Sequence, residues 1–203
     1  MTIITASCTT GTIKPTTISG PAGAAEGQWH GKALVKNLKT GKSATLTLEI
    51  LAKEPSQMRM DLTGSFGVAV ATIVLDGHEV RYLLPREKRF VVAPAASDAL
   101  GHLIPLKISP QVLLALLFDR RFPAADWKCT DIGNQPGVYE ECKHLRESLF
   151  VKWIDRNGRS RRLKVGTSDA EAEMVLDEVK SKVEVGPDTF KLNAPSGYKQ
   201  EKL

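Results

Sequence analysis

The chain has no apolar run approaching the roughly 18 residues that a membrane-spanning helix needs, so any membrane contact is expected to be peripheral or covalent. It has no HExxH, CxxC, Walker loop or GxSxG elbow. Its four histidines, His30, His78, His102 and His144, stand far apart, in no spacing that recurs in metal sites. Gly64, Ser65, Phe66, Gly67 places a serine near two glycines, but the second is out of register for a nucleophile elbow and no strand-to-helix context surrounds it. No catalytic residue, metal or cofactor is therefore expected, although a site assembled from distant residues needs no motif. Aromatic residues make up only 6% of the chain. The one compact basic cluster, Arg159, Ser160, Arg161, Arg162, has no stacking aromatics beside it, so the net charge of +5 reads as a solvated face or weak attraction to anionic lipid, not as nucleic-acid binding.

What is present suits one globular domain: 203 residues, 42% apolar and 25% charged. The three cysteines fall into two groups. Thr5, Ala6, Ser7, Cys8 resembles a bacterial lipobox, in which small residues precede a cysteine that is cleaved and acylated, although Thr5 stands where Leu is usual and little signal peptide precedes it. The alternative is an ordinary cysteine in a loose terminus. From Thr9 to Gly27 the chain is small and polar, which suits a flexible tether over residues 1–27 ahead of a single domain at 28–203. Cys129 and Cys142 flank Asp131 to Gly137, which reads as a turn. A hairpin centred between Gln135 and Pro136 sets the two cysteines opposite each other, where a disulfide can form and implies an oxidising compartment. The alternative is two free buried thiols.

From Ala33 onward the pattern is strands and short turns. Ala33 to Lys39 and Ala44 to Lys53 flank Thr40, Gly41, Lys42, Ser43. Met58, Met60 and Leu62 alternate with Gln57, Arg59 and Asp61, the period of a half-buried strand. Val68 to Leu75, Glu79 to Leu84 and Arg89 to Ala93 continue an antiparallel meander, and Leu149 to Asp155 and Ser160 to Val165 form a hairpin around Asn157 and Gly158. Ala170 to Lys182 suits a helix as well as strands. It reads as strand because Val183, Val185, Phe190 and Leu192 prolong the alternation. One interruption is expected: Ser109 and Pro110 are a capping residue and a first-turn proline, and Val112 to Phe118 is apolar on every side, giving a lid, a plug or a fixed core helix.

Met58 to Gly67 followed by a long apolar strand, and Leu103, Ile104, Pro105, Leu106, then the apolar helix, then Phe122 and Pro123, resemble the LolB family of outer-membrane lipoprotein receptors. Pro187, Asp188, Thr189, Phe190 with Ala194, Pro195, Ser196, Gly197 is more similar to the soluble carrier relative, LolA. The resemblance implies a mainly β, half-open antiparallel barrel with a short helix over an apolar cavity, no catalysis, and a monomer anchored at the periplasmic face of the outer membrane. Its implied partners are acylated lipoproteins, a LolA-like periplasmic carrier and outer-membrane lipid, with a LolA-like carrier or another apolar-ligand binder as the alternative role. Phe66, within the loop Gly64, Ser65, Phe66, Gly67, matches the apolar residue with which the family touches the membrane, here Phe in place of Leu. The alternative is a turn residue folded onto the core. Leu46, Leu48, Ile50, Met58, Met60, Leu62, Val80, Tyr82, Leu84, Leu113, Leu116 and Leu117 are the candidate acyl-cavity wall, and each would also serve an ordinary core.

Overall fold

The computed structural model describes residues 26–203 except 97–98, 102–105, 107, 121, 123–125, 134 and 158. Cys8, most of the tether, Leu103 to Pro105 and Pro123 lie outside the described residues. The first strand, β1, runs Glu26–Asn37, so Glu26 and Gly27 belong to the sheet and not to the tether. There follow β2 Ser43–Lys53, β3 Gln57–Thr63, β4 Ala69–Asp76, β5 Glu79–Leu84, β6 Arg89–Pro94, helix α1 Pro110–Leu117, β7 Trp127–Ile132, β8 Gln135–His144, β9 Phe150–Asn157, β10 Ser160–Gly166, β11 Ala170–Lys180 and β12 Lys199–Lys202.

All twelve strands form one sheet in the order β12-β6-β5-β4-β3-β2-β1-β11-β10-β9-β8-β7. Two antiparallel meanders meet at β1, which pairs with β2 on one side and with β11 on the other. β7 and β12 end the sheet without pairing to each other, so the barrel is open. Inward positions alternate as the strand pattern requires: Met58, Met60 and Leu62 are buried on β3, and Ala170, Ala172 and Leu176 on β11. The ambiguous Ala170 segment is thus one long strand. Gly31 sits where a Cβ would lie 2.6 Å from the Val175 carbonyl oxygen, so glycine lets the two halves curl closely together at this seam.

The C-terminal alternation is a correction. No strand covers Val183 to Leu192, and the chain instead forms β12, parallel to β6. Phe190 is buried at the end of a turn, Pro187 to Phe190, that lies against the core. Pro187 lies within the stretch and Pro195 follows it, and neither donates a ladder bond. Arg89 ties β12 down through Glu201 at 2.7 Å. Hydrogen bonds from Arg89 and then Lys199 hold the Glu201 carboxyl down to about 2.

The cysteine hairpin has the expected pairing and a different turn. Cys129 and Cys142 face each other, with Sγ atoms bonded and Cα atoms 4.0 Å apart. The strands reach Ile132 and Gln135, and shifts at Thr130/Asp131 and Asp131/Ile132 move the turn toward Gly133, whose φ is 52°. The sulfurs are 13 residues apart in sequence. Closing a loop of about 15 residues contributes about 3 kcal/mol in the chain-entropy account. Reduction is expected to lower the melting temperature by roughly 6 to 12 °C, read by thermal unfolding with and without a thiol. A Cys129→Ser/Cys142→Ser double variant should already melt at the lower temperature and respond to no thiol.

Candidate functional site: an apolar cavity beneath helix α1

The chain leaves β6 near one edge of the sheet and re-enters at β7, the other edge. Its path must cross the concave face, and α1 lies on that crossing. The Ser109 side chain accepts the Val112 N–H at 3.2 Å, Pro110 occupies the first turn, and six of the eight helical residues are buried. A helix apolar on every side is thereby covered on several.

Between α1 and the sheet lies a cavity of about 70 Å³. Every described lining side chain is apolar, so a water inside would find no side-chain partner among them. Eight of the twelve proposed wall residues border it: Leu46, Leu48 and Ile50 on β2, Met60 and Leu62 on β3, and Leu113, Leu116 and Leu117 on α1. The other four do not. Met58 and Val80 sit toward the far end of their strands, and Tyr82 and Leu84 lie on β5, beyond β4 from the helix. All four are buried as core. Alternation identifies an inward face, but not which stretch of that face lies under the helix.

Sequence reasoning missed the other half of the wall. Ala33 and Val35 on β1, Leu163 and Val165 on β10, and Ala172, Met174 and Leu176 on β11 follow the same alternation and could have been included. Ile73 on β4 lies in the segment read as apolar on both faces, and Leu100, Leu106 and Ile108 precede α1 with no periodic signal.

Charged groups gather at the other end of the fold, where α1 finishes. Arg161 on β10 is 5% exposed and donates through Nη1 to the carbonyls of Leu116 and Leu117, the Leu116 bond measuring 3.3 Å. Among the described residues the Leu117 carbonyl accepts from no backbone donor at the helix end, and that of Leu116 otherwise accepts only the Asp119 N–H at 3.4 Å. Just past the helix, Arg120 forks onto the two carboxylate oxygens of Glu54 at 3.0 and 3.1 Å. Asp119 lies 3.4 Å from Arg156, whose guanidinium stands 4.7 Å over the Trp153 ring. Burial pulls the Arg156 pKa down, against the attraction of Asp119. Phe118 meets Trp29 edge to face at 5.2 Å. Among the described residues, α1 is thus latched at its C-terminal end by polar bonds and held elsewhere by apolar contact.

The loop after β3 is a single 3-10 turn, Ser65–Gly67. Phe66 has φ 62° and is fully exposed, with Val68 and Val70 exposed beside it. The side chain does not fold onto the core. A bulky residue in the left-handed region stores of order 1 kcal/mol of strain or more. The cavity lies toward this loop: Leu48 pairs with Leu62, Leu46 with Ala33 and Val35 with Ala172, all in the strand halves nearest it.

Among the described residues no group of His, Cys, Asp or Glu could hold a metal ion, and no helix is long and apolar enough to cross a membrane. No protein-family model and no curated protein matches the chain. Solved structures do. A LolA superfamily protein from Nitrosomonas europaea superposes with a TM-score of 0.53 at 10% identity, covering 83% of this chain and 91% of that one. A DUF1329 family protein from Desulfovibrio piger gives 0.54 at 8%, covering 82% and 90%. A domain assigned to outer membrane lipoprotein sorting, from Vibrio parahaemolyticus, gives 0.51 at 8%, covering 84% and 91%. At these identities the likeness is one of fold: a LolA-like open sheet with a short helix.

Proposed function

We propose that this chain is a non-enzymatic envelope protein that takes the acyl chains of lipoproteins beneath α1 and helps deliver them to the outer membrane. The observation that carries this reading is the cavity whose described lining is wholly apolar and which reaches toward the fully exposed Phe66 loop. An acyl chain needs apolar walls and little else, at about 0.8 kcal/mol per buried methylene. Met60 and Met174 can repack around chains of differing shape. The solved relatives named for the LolA superfamily and for lipoprotein sorting share the fold.

The closed cavity is too small for a whole chain. About 70 Å³ is room for roughly five to seven water molecules. Loading therefore requires α1 to lift, which breaks the Arg161, Arg120 and Arg156 bonds. At about 0.5 to 1.5 kcal/mol net each, these five bonds cost about 2.5 to 7.5 kcal/mol, less than the roughly 8 kcal/mol that ten buried methylenes return. The latch sets a threshold that full-length chains pass and short ones do not.

Anchorage distinguishes a receptor from a carrier. Acylation of Cys8 makes the chain a lipid-anchored receptor at the periplasmic face, supplied by a LolA-like carrier. Without acylation the same cavity serves a soluble carrier. The 18 residues from Cys8 to Glu26 (26 − 8) extend at most about 60 Å, against about 40 Å for the 12 residues of β1. An anchored domain can therefore still turn its Phe66 end to the membrane that holds it. The disulfide suits the oxidising compartment that either role requires.

The test is a titration with a triacylated lipopeptide and with its deacylated form, read by native mass spectrometry. A one-to-one complex is expected with the first only. Equal binding of both, or of neither, contradicts the reading. Membrane fractionation of wild type and Cys8→Ala then separates anchored receptor from free carrier.

A further inference from the structure

The Phe66 loop does not stand alone on its end of the sheet. The register places three consecutive hairpin turns side by side there: β1 to β2, β3 to β4, and β5 to β6. Strands lie about 4.8 Å apart, so neighbouring turns are about 10 Å apart, close to one Debye length at physiological salt. The central turn exposes Phe66 and Val68, and the first exposes Leu38. On either side are exposed cations with no ion-pair partner among the described residues: Lys42 in the first turn, Arg86 and Lys88 in the third. The one acid in the three turns, Glu87, is held by Arg89 at 2.7 Å.

The opposite end is built differently. Its two turns on the same half of the sheet, β2 to β3 and β4 to β5, carry Glu54, Asp76 and Glu79 and expose no large apolar side chain. Among the hairpin turns of this half, apolar tips thus occur together with unpaired cations on the first rim, whereas the other rim has Leu203 and Lys202 at the chain's end, beside the acids Asp76 and Glu79.

We propose that this three-turn rim is a docking surface for anionic lipid, with Phe66 entering the interface and Lys42, Arg86 and Lys88 meeting the acidic headgroups. This deepens the reading of Phe66 as a membrane-contacting residue, on which it rests. A cation close to an anionic surface contributes about 1 kcal/mol, about a fivefold gain in partition, so three contribute about a hundredfold. Burial of the Phe66 ring adds roughly tenfold to hundredfold on any fluid bilayer. Phosphate on a lipid surface and free phosphate offer the same chemistry, but only the surface engages the apolar tips.

The test is co-sedimentation of the full, unacylated chain with vesicles of phosphatidylcholine alone and of phosphatidylcholine with phosphatidylglycerol. Wild type should bind the anionic vesicles at least thirtyfold more strongly, and the gain should vanish in high salt. Lys42→Glu/Arg86→Glu/Lys88→Glu should remove that gain. Arg159→Glu/Lys180→Glu/Lys182→Glu, an equal charge change at the other rim, should keep it. Phe66→Ala should weaken binding at least tenfold to both vesicle types. Binding that needs Phe66 but ignores phosphatidylglycerol overturns the cation rim and leaves the Phe66 reading standing. Binding that needs neither, or no sedimentation with either vesicle, overturns both. Capture of inorganic phosphate in place of the vesicles also overturns the proposal.

Discussion

Replacing Ala33 and Ala172 by leucine together will weaken binding of a triacylated lipopeptide about fiftyfold or more while leaving the fold intact. Both alanines border the cavity, on β1 and β11, and Val35 pairs with Ala172 as Ala33 pairs with Met174. Each substitution adds three carbons that project into empty space. The space they take is denied to at least three ligand methylenes, about 2.4 kcal/mol at 0.8 each. Added methylenes cost about 1 to 3 kcal/mol in a packed core, and the cavity with its flexible Leu and Met walls keeps the cost within that range. Chemical denaturation and lipopeptide titration of the same sample check the two halves. A variant that keeps both its stability and its affinity means that ligand binds elsewhere.

Arg161→Leu is expected to act in the opposite direction on binding. The substitution leaves the Leu117 carbonyl without its donor in a buried setting and Leu116 with only the Asp119 N–H, at about 2 to 4 kcal/mol together. Part of that is offset because Arg161 also disfavours the charged form of its buried neighbour Arg156. A net loss of about 2 to 3 kcal/mol is expected, with amide exchange across Leu114 to Phe118 faster by about thirtyfold to a hundredfold. Opening then costs less, so lipopeptide affinity should rise, because the binding-competent state is more populated. Arg161→Lys, a single donor on a flexible stem, should restore part of the protection. Slower exchange, or an affinity that falls with stability, would show that Arg161 builds the cavity and does not latch it.

The strands were legible in the sequence wherever one face is buried. Met58, Met60 and Leu62 against Gln57, Arg59 and Asp61 fix both strand and face, and Ser109 with Pro110 fixes the start of α1. The 129 and 142 pairing was legible because hairpin register is arithmetic, although two bulges moved the turn. Alternation failed at Val183 to Leu192, where a turn starting at Pro187 buries Phe190 without joining a ladder. The cavity was half legible, because depth along a strand and the position of a crossing helix depend on long-range placement. The Arg161 latch was not legible: inside a cluster of basic residues, nothing local marks the one that turns inward to a helix terminus 44 residues away. The paired strands and the inward faces needed only local pattern, whereas the latch and the shared end of cavity and Phe66 needed the topology.

The most direct test of the central claim uses the chain's own methionines. It has four, and Met60 and Met174 border the cavity whereas Met58 is fully buried outside it. With methyl-labelled methionine, NMR spectra are recorded as a triacylated lipopeptide is added. The account predicts large shifts at Met60 and Met174, saturating at one equivalent, with Met58 nearly unmoved. Silent Met60 and Met174 resonances in a protein that binds the lipopeptide would contradict it.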